Sequence, residues 1–69
     1  MRISARNRLK GTIREIKKGQ TTAHVRIDVN GVIVTAAITN DAVDDLKLKT
    51  GQTAYAVIKA SDVMIGVDE

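Results

Sequence analysis

Ala23-His24-Val25-Arg26-Ile27-Asp28-Val29-Asn30-Gly31-Val32-Ile33-Val34-Thr35 is the stretch that decides the fold of this chain. From Ala23 to Val29 the odd positions are apolar, while His24, Arg26 and Asp28 are polar. That is the period of two a half-buried strand requires. Asn30-Gly31 then accepts positive φ at both central positions of a type I′ turn, whose twist matches that of the strands it joins. Val32 to Thr39 is therefore expected to fold straight back as the second arm of a hairpin. The unbroken Val32-Ile33-Val34 run predicts that this arm is covered on both faces.

Upstream of the hairpin, Leu9, Ile13 and Ile16, with small Gly11 between them, form a strand whose alternation slips by one near Glu15. Such a slip marks a bulge or bend. Lys18-Gly19-Gln20 turns the chain into the hairpin. Downstream, Thr39-Asn40-Asp41 offers three helix N-caps in a row, and Ala42, Val43 and Leu46 have the spacing of one buried helical stripe. Thr50-Gly51 closes this short helix, after which Thr53 to Lys59 and Val63 to Val67 read as two further strands hinged at Ala60-Ser61-Asp62. The expectation is an all-β chain: a five-stranded antiparallel OB-like barrel with one short helix after the third strand. Residues 1–69 read as one domain, with no linker, repeat or low-complexity segment.

A 69-residue chain buries only about 60% of the surface it exposes when unfolded, so its own core is marginal. Disulfides, a structural metal and self-association are the usual supplements. With no Cys and one His, only self-association remains. The basic start is followed by no unbroken apolar stretch, and no run reaches the roughly 20 apolar residues of a membrane helix. A soluble cytoplasmic protein without a membrane partner is expected.

Net charge is +3, but residues 1–18 carry +6 and the remainder −3. Such a basic segment is commonly a solvated strand face or an electrostatic contact between subunits, and it also draws anions. Catalysis has no visible basis. His24 lies on the polar side of a regular strand and has no companions with metal-ligand spacing, and Asp44 and Asp45 are adjacent on a helix and diverge by about 100°. No enzyme and no metal site are expected. An OB-type module binding single-stranded nucleic acid is the alternative, but Tyr55 is the sole aromatic residue, and stacking on aromatic rings carries most of the affinity of such modules. A third reading is a purely structural oligomer.

The positive chemistry is a set of donors. Ser4-Ala5-Arg6-Asn7 and Lys59-Ala60-Ser61-Asp62-Val63-Met64 each group a cation with a hydroxyl and exposed backbone, and Thr39 stands at the start of the expected helix. A tetrahedral dianion presents only acceptors, so its natural host offers hydroxyls, backbone N–H groups and one or two cations. Order and spacing sharpen this. Ser-Ala-Arg-Asn-x-Leu-Lys-Gly at Ser4 to Gly11, Ala-x-Val at Ala23 to Val25, Ile38-Thr39, and Ala-x-Ile-Lys-Ala-Ser-Asp-Val-Met at Ala56 to Met64 closely resemble the molbindins, the small molybdate-binding Mop proteins. The resemblance runs from Ile3 to Val67.

That resemblance implies a single TOBE-type domain that binds molybdate, or the similar tungstate, for intracellular storage or buffering. It implies a homohexamer arranged as a trimer of dimers, with N-terminal strands exchanged and oxyanions held at subunit interfaces. The contacting residues it implies are Ser4, Ala5, Arg6, Thr39, Lys59, Ala60 and Ser61, where Ala5 and Ala60 contribute only backbone groups. Molbindins also have a second class of site near the symmetry axis, which the sequence does not assign to residues. No organic cofactor and no nucleic-acid partner are implied.

Overall fold

The computed structural model describes residues 1–68. In chain order it contains β1 (Asn7–Lys18), β2 (Thr22–Val29), β3 (Val32–Thr39), α1 (Asn40–Asp45), β4 (Thr53–Ile58) and a 3-10 turn over Ala60–Asp62. The hairpin forms where its pattern places it: β2 and β3 pair from Thr22↔Thr39 to Val29↔Val32 without a slip. Asn30 and Gly31 take φ of 50° and 89°, the left-handed values that the turn requires. Asp28 clamps the turn, since its carboxylate accepts the Gly31 N–H at 2.7 Å.

The slip near Glu15 is a true bulge, for the β1–β2 register shifts between Ile13 and Glu15. Two residues, Arg14 and Glu15, then separate Ile13 and Ile16, yet both pack on the apolar side. Gly11 is needed for close approach: a β-carbon there would lie 2.4 Å from the Asp28 carbonyl oxygen. The sheet order is β3-β2-β1-β4, and every pairing is antiparallel. Its concave face holds the core, made of Ile13, Ala23, Val25, Ile27, Val43 and Ala56, with Val34, Ile38 and Leu48 packed against it.

Three expectations fail, each at an apolar surface that one chain leaves open. The fifth strand does not form: after the 3-10 turn, residues 63–68 have no regular structure, and Val63, Met64, Ile65 and Val67 are 47%, 91%, 88% and 83% exposed. A strand needs a hydrogen-bonded neighbour, and none of the strands of the described residues pairs with this segment. The sheet is thus a curled four-stranded OB-like sheet and not a closed five-stranded barrel. Val32 and Ile33 are exposed, so β3 is covered on one face only. In α1 only Val43 of the expected stripe is buried, because the helix stops at Asp45 and leaves Leu46 exposed. β1 lies in the interior of its own sheet, between β2 and β4.

Candidate functional site

The two donor segments meet because β1 and β4 are antiparallel partners. Their ladder begins at Asn7↔Ile58, so the residues before Asn7 and those after Ile58 leave the sheet side by side. Asn7 ties this end together by donating its side-chain amide to the Ile58 carbonyl at 3.1 Å. The product is an open cleft of about 460 Å³ lined by Ser4, Ala5, Arg6, Lys59, Ala60 and Ser61. Six of the seven expected contact residues therefore share one cavity, although more than fifty positions separate the two segments in sequence.

The chemistry of this cleft is one-sided. Its lining offers the Arg6 guanidinium, the Lys59 ammonium and two hydroxyls, and no lining residue is acidic. Arg6 and Lys59 are not in any ion pair among the described residues. In the 3-10 turn the N–H groups of Asp62 and Val63 bond back to the Lys59 and Ala60 carbonyls. Ala60 and Ser61 open the turn, where N–H groups have no acceptor within it. The cations also differ in kind: the planar fork of Arg6 suits two oxygens of an oxyanion, and Lys59 acts as a point charge.

Thr39 is the exception. It caps α1, its hydroxyl oxygen accepting the Ala42 N–H at 3.0 Å, and it pairs with Thr22 at the far end of the sheet. From Asn7 to Lys18, β1 covers roughly 36 Å of extended strand, and Thr39 lies beyond its far end through the Lys18↔Ala23 and Ala23↔Ile38 pairings. One chain therefore does not bring Thr39 to the Arg6 cleft. The hydroxyl proton of Thr39 remains available for donation, because capping uses only the oxygen lone pair. Lys17, Thr22 and His24 line a small cleft at this end, and Lys17 stands directly opposite His24.

A second basic cleft, with Lys10, Arg14, Asn30 and Gly31 in its wall, contains Asp28 as well. Asp28 holds Arg14 at 3.2 Å. The Gly31 N–H first, and then Arg14, keep its carboxyl below the ordinary value. A fixed carboxylate in the wall makes this cleft a poor host for a dianion. Among the described residues no cluster of His, Cys, Asp or Glu has the makings of a metal site.

Residues 3–65 match the TOBE domain family. The chain belongs to that family. A probable molybdenum-pterin-binding protein of Haemophilus influenzae is 45% identical over 69 residues, which cover 99% of this chain and all of the relative. Among solved structures, a molybdate-binding protein from Sporomusa ovata superposes with a TM-score of 0.92 at 40% identity, covering 97% of this chain and all of that one. The cytoplasmic molybdate-binding protein ModG, solved with molybdate bound, gives a TM-score of 0.91 at 45% identity over 99% of this chain. The TOBE chain described here spans about half the length of the ModG chain, at 49%.

Two features of the site went unread in the sequence. Asn7 acts as the tie between β1 and β4; it stands inside the Ser-Ala-Arg-Asn motif, and its amide was the available signal. The cleft formed by Lys17, Thr22 and His24 beside Thr39 depends on strand register, which composition does not reveal.

Proposed function

We propose that this protein binds molybdate, with tungstate as its near-equivalent, and that it serves as a cytoplasmic store or buffer and not as an enzyme. The observation that carries this reading is the cleft where Ser4, Arg6, Lys59 and Ser61 converge without a carboxylate. Four donor side chains and the backbone of Ala5 and Ala60 suit an ion with four acceptor oxygens and no proton. The molybdate-binding proteins that share the fold at 40–45% identity support the choice of ion.

Thr39 enters the site from a neighbouring copy. Its place at the far end of its own sheet supports an interfacial site, and the assembly we propose is a hexamer arranged as a trimer of dimers. Binding at such an interface stabilises the oligomer, by about 2.7 kcal/mol at a hundredfold excess of ligand over Kd. Calorimetric titration with molybdate, phosphate and sulfate tests the ligand. Molybdate is expected to bind tightest, phosphate worse because it is partly protonated near neutrality, and sulfate worse because it is smaller. Equal competition by phosphate would mean that an acceptor faces the anion, and the donor-only site would be wrong. Light scattering at micromolar concentration tests the assembly; a single-chain mass would remove the interfacial site.

A further inference from the structure

Along one face of β1 runs a row of cations that ends at the Arg6 cleft. Cross-strand partners share a face of a sheet, and the β1–β4 register sets Arg8 opposite Val57 and Lys10 opposite Tyr55. Past the last pair, Asn7↔Ile58, the same alternation continues to Arg6 and Lys59, the two cations of the cleft. Alternate residues of a strand are roughly 6.8 Å apart, so Arg8 stands one step and Lys10 two steps from Arg6. Both are exposed. Neither is in an ion pair among the described residues. Their neighbour β4 holds no charged residue, and β2 begins to pair with β1 only at Thr12↔Asp28. The carboxylates on this face, Asp28 and Glu15, stand toward the other end and are held by Arg14 and Arg26.

We propose that Arg8 and Lys10 collect the oxyanion from solution and pass it along the face of β1 to the Arg6 cleft, so that they set the rate of capture and not the strength of the final hold. This rests on the molybdate reading of that cleft. Neither residue lines the cleft, so each acts on the anion while it approaches. The Debye length is about 8 Å at physiological ionic strength, slightly more than one step of the row. The fields of Lys10, Arg8 and Arg6 therefore overlap, and a dianion moving from one to the next stays in attractive potential. Arg14 is eight residues from Arg6, roughly 27 Å along an extended strand, and its charge is already answered by Asp28. The side chains of Tyr55 and Val57 flank the row with apolar surface, which concentrates its field on the solvent side. Charges placed outside a site in this way raise the association rate and leave dissociation to the groups that touch the ligand.

Stopped-flow mixing of the full chain with molybdate, followed by the emission of Tyr55, gives the association and dissociation rates, and calorimetry checks that their ratio matches Kd. Two variants each lose two positive charges. Arg8→Gln/Lys10→Gln removes the unpaired cations of the row, and Arg14→Gln/Arg26→Gln removes two that are paired on the same face. At about 0.15 M salt the first is expected to associate about fivefold more slowly or worse, with dissociation unchanged, and the second to associate almost as fast as the unsubstituted protein. The deficit of the first should widen at low salt and vanish at about 1 M, where the Debye length is about 3 Å. The exchanged pair Arg8→Lys/Lys10→Arg keeps the charges and should keep the rate. Equal slowing in the two charge-loss variants would overturn the proposal in favour of net charge alone. Faster dissociation at an unchanged association rate would overturn it by making Arg8 and Lys10 contacts of the bound anion. Slow association in the exchanged pair would overturn it too, because shape and not charge would then matter. Absence of molybdate binding by the unsubstituted protein would instead remove the reading of the cleft itself, and the capture row with it.

Discussion

Arg14 and Arg6 lie on the same basic N-terminal stretch and meet opposite electrostatic surroundings. At the hairpin end, Arg14 is held by Asp28, which also clamps the Gly31 N–H; the charges there satisfy one another and fasten a turn. At the other end, Arg6 shares an open cleft with Lys59 and two hydroxyls, and no lining residue is acidic. Total charge does not distinguish the two ends. What separates them is whether a carboxylate is built into the wall, because a cation that already has its counter-ion offers an incoming dianion little. The charges of the closed end satisfy one another, and among the described residues those of the open end have no counter-ion.

The sharpest way to break this contrast is to remove each guanidinium in turn. Arg6→Ala is expected to weaken molybdate by about 2–5 kcal/mol, the order found when one partner of a desolvated charge pair is truncated. Arg14→Ala should leave affinity almost unchanged, although it removes the same charge. Equal losses by calorimetry would mean that the general field of the N-terminal segment holds the anion.

The next largest effect falls on the closed end. Gly11→Ala sets a β-carbon 2.4 Å from the Asp28 carbonyl oxygen, and overpacking of this kind costs about 1–3 kcal/mol. Urea unfolding should show that loss. Molybdate affinity, measured where the variant is still folded, should be retained if the two ends are independent.

Thr39 joins the two roles. Thr39→Ala removes the cap on the Ala42 N–H and should cost about 1 kcal/mol of stability. If a neighbour's Thr39 also donates to the anion, Thr39→Ala loses affinity in addition, and Thr39→Ser restores both. Rescue of stability by Ser without rescue of affinity would remove Thr39 from the site.

The smallest effect is in acid. Asp28 has a lowered pKa in the fold, so the stability it contributes is complete above its ordinary value of 3.8 and is lost as pH falls through the lowered value. Asp28→Asn should therefore lose a small amount of stability at neutral pH, less than Gly11→Ala does, and flatten the acid limb of the stability curve, so that the difference from the unsubstituted protein vanishes below that point. A neutral-pH loss as large as that of Gly11→Ala would show that the carboxylate does more than clamp the turn.

Local pattern determined much of this protein. The period of two in Ala23–Val29, the Asn30-Gly31 turn, the slip at Glu15 and the Thr39 cap are short-range preferences of backbone and side chain, and each appears where its residues stand. The donor segments were legible for the same reason, since residue type alone shows which groups can donate a hydrogen bond and which carry a negative charge. Pairing decided the rest. That Ser4–Arg6 and Lys59–Ser61 share a cleft follows from the Asn7↔Ile58 register, a long-range contact that no local window contains. That Thr39 lies elsewhere follows from the length of β1. The apolar pattern of Val63–Val67 reads as a strand, yet a strand exists only against a neighbour's hydrogen-bonding edge, and a periodicity carries no information about whether that edge is within reach.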